Sequence, residues 1–293
     1  MNSYSTRITL CLLLSAYCGI LHAENWSGFR GINAQGHSTE TQLPLTWSDK
    51  QNIRWKTELP GEGWSSPIVY DNTVYVTTAT EDGSSCRVLS LDSDTGNKNW
   101  DVEVHRQSPG AKRKQNSYAT PTPTTDGTHI FAAFADGTVV AVDRQGKLAW
   151  KNTEVKFHSL HGLGASPILV DGLIIMPFDG SSSEERELGW KIPWDKAVVL
   201  AIDAKSGKTV WRGKRGASRV GHVTPVAING GRSIVSAAGD QVAAFDKVSG
   251  KRIWSVYSQG EGVTPTPAVG DGIIYCLLYT SPSPRDQRGS RMP

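Results

Sequence analysis

This sequence predicts an all-β fold, a β-propeller of four-stranded antiparallel blades, with four blades and the start of a fifth. Three observations predict it. Four segments close on one pattern, an apolar residue and Asp, a turn with Gly, then Trp: LDSDTGNKNW at 91–100, VDRQGKLAW at 142–150, IDAKSGKTVW at 202–211 and FDKVSGKRIW at 245–254. Five segments open on Ser or Thr, Pro, a short apolar run, a turn and a second apolar run: SSPIVYDNTVYV at 65–76, PTPTTDGTHIFA at 121–132, ASPILVDGLIIM at 165–176, VTPVAINGGRSIV at 223–235 and PTPAVGDGIIY at 265–275. No amphipathic helical stretch of useful length interrupts them. A self-similar unit of about 45 residues with four strands is the size of a propeller blade. A β-sandwich is the structural rival, but it does not explain why the Asp…Gly…Trp ending recurs.

In chain order, residues 1–23 read as a secretory signal peptide. Arg7 supplies the positive charge, residues 8–20 are almost wholly apolar, and Ala23 ends the small-residue cleavage stretch. The apolar run is too short to span a membrane comfortably, so no transmembrane span is expected after cleavage. A lipoprotein signal ending at Cys18 is the alternative, and the bulky Tyr17 before it argues for simple cleavage. Residues 24–275 are the propeller. Residues 53–59, with Trp55, read as an isolated outer strand that completes the final blade from the other end of the chain.

The first unit shows how one blade is specified. Pro67 opens the inner strand, where a missing N–H does little harm. Asp71-Asn72 is a tight hairpin turn, as are Asp126-Gly127, Asp171-Gly172 and Asp271-Gly272. Residues 73–78 are the second strand, 81–83 a turn, 86–92 the third strand, and the Asp-x-x-Thr-Gly turn leads to a fourth strand carrying Trp100.

Residues 276–293 break the repeat. They begin CLLYTSPSPRD, have no strand period, and read as the translation of a transposase-type sequencing adapter, so the native chain is expected to continue differently after Tyr275. The ends also account for the charge. The whole chain holds 31 Lys+Arg and 28 Asp+Glu; without Arg7, Arg285, Arg288, Arg291 and Asp286, 27 of each remain. A neutral mature chain makes no electrostatic case for nucleic acid. Of the cysteines at 11, 18, 86 and 276, only Cys86 lies in the propeller, so it forms no intramolecular disulfide there and packing must supply the stability.

The repeated endings resemble the tryptophan-docking motif of the quinoprotein-type, or pyrroloquinoline-quinone-like, β-propeller repeat family. The resemblance covers nearly all of residues 25–275. It includes the leader NWSGFRGINAQG at 25–36 and LPLTWS at 43–48, with GWSSP at 63–67, NSYATPTP at 116–123, HGLGASP at 161–167, GKRGASRVGHVTP at 213–225 and SQGEGVTPTP at 258–267. It implies that Trp100, Trp150, Trp211 and Trp254, with Trp55, are packed between neighbouring blades. The chain is also similar to the propeller lipoprotein of the outer-membrane β-barrel assembly machinery, which is a scaffold. The family is defined by its fold, so the resemblance is weak evidence for a particular function.

Candidate function sits at the channel mouth, where the turns before the inner strands converge. Those turns carry Trp64, Asn116, Tyr118, His161, Arg219, His222 and Glu261 as candidate ligand or partner residues. In quinoprotein dehydrogenases the cofactor lies in this funnel; the bland alternative is that the seven cap strands and bond one another. An insertion at 179–196, DGSSSEERELGWKIPWDK, offers Trp190 and Trp194 either as a partner surface or as a plug folded over the mouth. Residues 112–114, Lys-Arg-Lys, read as a solvated loop run.

No catalytic residue and no metal site is assigned. The mature chain has no adjacent cysteine pair, CxxCH, HExxH or zinc spacing. Two functions stand. One is an exported, periplasmic or secreted scaffold that binds a protein partner or small ligand without a cofactor. The other is a dehydrogenase using pyrroloquinoline quinone with Ca²⁺, or a descendant that keeps quinone binding. A carboxylate base and oxygen ligands for Ca²⁺ would favour the second; Glu261 is the one acidic mouth residue, and it lies between Gly260 and Gly262.

Overall fold

The computed structural model describes residues 24–41, 43–110, 112, 114, 116–159, 161–180, 197–215, 221–238, 241–257 and 265–276. Four antiparallel sheets follow one another along the chain. The first is β1 (Ile68–Tyr70), β2 (Thr73–Ala79), β3 (Ser85–Asp92) and β4 (Lys98–Arg106). The second is β5 (Thr124–Thr125), β6 (His129–Ala133), β7 (Val139–Asp143) and β8 (Leu148–Asn152). The third is β9 (Ile168–Val170), β10 (Leu173–Phe178), β11 (Val198–Asp203) and β12 (Thr209–Lys214). The fourth is β13 (Val226–Ile228), β14 (Ser233–Ala238), β15 (Gln241–Asp246) and β16 (Arg252–Tyr257). A further hairpin, β17 (Ala268–Gly270) with β18 (Ile273–Tyr275), begins a fifth. Each sheet is a blade whose strands run in chain order from the inner edge outward.

The hairpins between first and second strands turn because short polar residues take the left-handed conformation. Asp71 and Asn72 have φ of 47° and 57°, Asp171 and Gly172 46° and 78°, and Asp271 and Gly272 51° and 75°. The second and third strands are buried on both faces, as Ile174, Ile175 and Met176, each 0% exposed, show. They therefore read as continuous apolar runs.

The recurring ending has one mechanism in the first, third and fourth blades, while in the shorter turn of the second Asp143 Oδ1 accepts from Gln145 N and Lys147 N, each at 2.9 Å. Asp92 Oδ1 accepts hydrogen bonds from Thr95 N at 2.8 Å and Thr95 Oγ1 at 2.7 Å. Asp203 does the same with Ser206, and Asp246 with Ser249. These hydroxyls and amides hold all three carboxyls below their ordinary pKa. The outer strand then bulges by the one residue before its Trp, opposite the third-strand step from Ser90 to Leu91 in the first blade, Ala141 to Val142 in the second, Ala201 to Ile202 in the third and Ala244 to Phe245 in the fourth.

Trp100, Trp150 and Trp211 each reach the next blade. The indole N–H of Trp100 donates to Arg144 O at 2.8 Å, that of Trp150 to Ala204 O at 2.9 Å, and that of Trp211 to Lys247 O at 2.6 Å. The acceptor is always the residue after the turn Asp. The turn glycine lies flat against the ring: a Cβ on Gly207 would fall 2.5 Å from Trp150, and one on Gly250 2.5 Å from Trp211. Only glycine tolerates both that approach and the positive φ.

One expectation needs correction. Residues 53–59 form no strand, although Trp55 makes the expected contacts on the first blade, donating to Ser93 O at 2.8 Å beside Gly96. Trp254 is 36% exposed, and the described part of the fifth unit, β17 and β18, does not reach the closing Asp…Gly turn on which the other three indoles dock.

Candidate functional site

The mouth is built from the turns before the inner strands, and a girdle of hydroxyls sets their spacing. Ser66 N donates to Thr122 Oγ1 at 2.9 Å, Thr122 N to Ser166 Oγ at 3.0 Å, and Ser166 N to Thr224 Oγ1 at 3.0 Å. Each is the residue before the strand-opening proline, so its amide points away from its own sheet and is satisfied by the next blade. The Ser/Thr-Pro repeat was the signal for this girdle; read for its proline alone, it hid the role of the hydroxyl.

Above the girdle the structure brings together three of the seven mouth residues. Asn116 Nδ2 donates to His161 O at 2.6 Å, tying the second blade to the third. The His161 and His222 rings lie 5.8 Å apart at 69°, tying the third blade to the fourth. Gly164 admits the His222 ring, since a Cβ there would stand 2.9 Å from His222 Cβ. Trp64 stands apart at the junction of the first two blades. The residue is 56% exposed, while its amide donates to Ala119 O at 3.2 Å and Ser117 Oγ at 3.1 Å. Tyr118 packs on Gly83 and carries the Lys112 ammonium 4.6 Å from its ring centre, a cation–π contact. That contact gives the basic loop run one partner besides solvent. Arg219, Glu261, Trp190, Trp194 and Arg113 lie outside the described residues.

The matches to known proteins follow the fold. The profile of the family described as outer membrane protein assembly factor BamB matches residues 41–177 and 195–285. The chain belongs to the BamB family. It is 24% identical to outer membrane protein assembly factor BamB of Yersinia pestis over 204 residues, 66% of this chain and 47% of that one. It is 27% identical to a quinoprotein ethanol dehydrogenase of Pseudomonas aeruginosa over 198 residues, 65% of this chain and 28% of that enzyme. The chain thus spans less than half the length of both relatives. Among solved structures, BamB from Moraxella catarrhalis aligns with a TM-score of 0.53 at 17% identity, covering 77% of this chain and 64% of that one. A europium-containing methanol dehydrogenase aligns with a TM-score of 0.56 at 15% identity, covering 80% of this chain and 48% of that one. These structures share the propeller fold.

Two polar clusters of this BamB-family chain sit on the mouth side, and neither was legible from the repeats. His105 Nε2 and Asp136 Oδ2 lie 2.8 Å apart across the first and second blades, with Lys151 Nζ 3.2 Å from His105 Nδ1. A lysine ammonium has only protons to give, so Nδ1 accepts and Nε2–H donates to Asp136. Cys86 pairs with His105 in the sheet, but burial, then Asp136 and Glu103, push its thiol pKa up, so it is an inert core thiol. The second cluster joins the third and fourth blades. Arg215 Nε and Asp179 Oδ1 are 3.0 Å apart with both side chains 1% exposed, and Arg215 Nη1 donates to Ser236 Oγ at 2.7 Å. No group of three or more His, Cys, Asp or Glu side chains gathers in metal-binding geometry among the described residues.

The histidine pair carries a pH dependence. Burial, and then the neighbouring His161, push the His222 pKa from 6.5 down to about 4. Its Nε2 is sealed from solvent and makes no hydrogen bond among the described residues. The unfolded chain takes up this proton near pH 6.5 while the folded chain resists until about 4, so stability falls as pH drops through that window and this contribution levels off below it. The expected loss is about 2–3 kcal/mol. Urea midpoints at pH 7, 5.5 and 4 check it, and His222→Phe should flatten the decline. The aspartates of the blade turns act lower, because their folded pKa values lie beneath 3.8.

Proposed function

We propose that this protein is an exported β-propeller acting as a non-catalytic scaffold, with the mouth rim as its partner surface. The observation that carries this reading is Trp64: the residue is 56% exposed while hydrogen bonds from its amide to Ser117 and Ala119 hold its backbone in place. A large aromatic presented from an ordered backbone loses little entropy on binding and is the usual anchor of a protein contact. The interior mouth side chains are engaged with one another, Asn116 with His161 and His161 with His222. The relatives that are assembly factors fit this reading, and residues 1–23 supply the export signal. The partner is a protein of the exported compartment.

The likeness to quinoprotein dehydrogenases supports a second reading, in which pyrroloquinoline quinone with Ca²⁺ occupies the funnel. Histidine nitrogens suit that hard cation poorly, since it prefers oxygen ligands. Mixing the chain with quinone and Ca²⁺ should give no dye-linked alcohol or sugar oxidation. Turnover that disappears in Glu261→Gln would replace the scaffold by the enzyme. A photo-reactive residue at position 64, expressed in the native host, should give a discrete protein adduct, and one at exposed Val248 should give none. Equal patterns at the two positions would remove the rim from the argument.

A further inference from the structure

The innermost strand of each blade pairs with its neighbour on one side only. Its other edge faces the axis with bare amides and carbonyls, the situation in which a sheet accepts an added strand. At the hairpin end of these strands, away from the mouth, the edges are met by residues 25–36. Trp26 N donates to Val69 O at 2.7 Å and Val69 N returns to Trp26 O at 2.9 Å, an antiparallel bridge on β1. Asn25 Oδ1 accepts from Asp71 N at 2.9 Å. On β5, Ser27 O accepts from Thr125 N and from Thr124 Oγ1, each at 3.0 Å. Ala34 packs into the core of the fourth blade with Val223, Val226 and Val235. Gln35 Oε1 then accepts from Val269 N on β17 at 2.8 Å. Between this segment and the inner strands β5, β9 and β13 lies a cavity of about 160 Å³.

The segment therefore crosses from the first blade to the fifth without contributing a strand to any blade. It is folded for this path: Gly31 has φ of 72°, and a Cβ there would fall 2.7 Å from the Trp26 ring. Residues 37–41 that follow it are exposed.

We propose that the inner-strand edges at this end of the channel are a binding site for a peptide that pairs as a strand at its start, as Trp26 does with Val69, and then turns across the blades through a short 3-10 helix at Ile32–Ala34, and that residues 25–36 are its resident ligand. The site recognises backbone through β1 and β5 and side chains through Val269 N, which donates to Gln35, and through the apolar seat of Ala34, while Trp26 folded over Gly31 fixes the turn of the segment itself. This inference is independent of what the mouth binds.

The test uses the full chain with a specific protease site at residues 39–41. After cleavage in the folded protein, the N-terminal segment should co-elute with the propeller on gel filtration. An excess of fluorescent peptide with the sequence of residues 25–36 should then exchange into the site. The same peptide carrying Gly31→Ala should bind at least ten-fold more weakly. Immediate loss of the nicked segment, failure of the peptide to exchange, or equal binding of the two peptides would each overturn the proposal.

Discussion

Trp211→Ala is expected to lower the unfolding free energy by about 3–5 kcal/mol, the range for truncating a buried aromatic. Trp211 is 7% exposed and packs with Ile234, Ala243 and Phe245 of the fourth blade. Truncation opens a cavity at the seam and leaves Lys247 O without the indole N–H it accepts at 2.6 Å. Trp254→Ala is the internal control, because the same motif residue is 36% exposed and docks on no turn among the described residues. It should cost under about 1 kcal/mol, as surface changes usually do. Urea denaturation of the two variants measures the contrast. Similar losses would show that the indole stabilises its own blade and not the seam.

Arg215→Ala should be as damaging, by about 3–5 kcal/mol, because it strands a carboxylate in the interior. Asp179 is 1% exposed and 3.0 Å from the guanidinium, and the same side chain reaches Ser236 in the fourth blade. The Arg215 carbonyl also accepts from Gln241 Nε2 at 2.6 Å, so the residue is fixed through backbone as well as side chain. Removing both charges, as Arg215→Met with Asp179→Leu, should recover most of the loss, since a buried pair often stabilises no more than apolar residues of the same size. Denaturation midpoints of the single and double variants decide this. A double variant as unstable as Arg215→Ala would mean that the pair is worth more than its desolvation cost. The site matters because Asp179 opens the insertion that carries Trp190 and Trp194, and Gly221, whose Cβ would stand 2.9 Å from Asp179 Oδ2, precedes His222.

The blade ending was legible because its parts lie within ten residues. The Asp caps the turn, the Gly permits it, and the Trp follows on the outer strand, so the physics is local and recurs. Which atom the Trp meets was not legible. Its acceptor lies 44 residues on for Trp100, 54 for Trp150 and 36 for Trp211, and only the angle between blades selects it. The mouth was legible as a group, since every inner strand begins at the same end of its blade. Its pairings were not: that His161 meets His222 while Trp64 stands exposed depends on side-chain direction and on the space at Gly164.

The sequence by itself determined the repeat, the strand order within each blade, the hairpin turns and the charge balance, because each depends on neighbours in the chain. Tertiary structure alone decided the serine and threonine girdle, the His105–Asp136 and Arg215–Asp179 pairs and the seat of residues 25–36 across the inner strands. These contacts join positions with no fixed spacing, and they exist only once packed blades bring distant polar groups into a low-dielectric interior where each must find a partner.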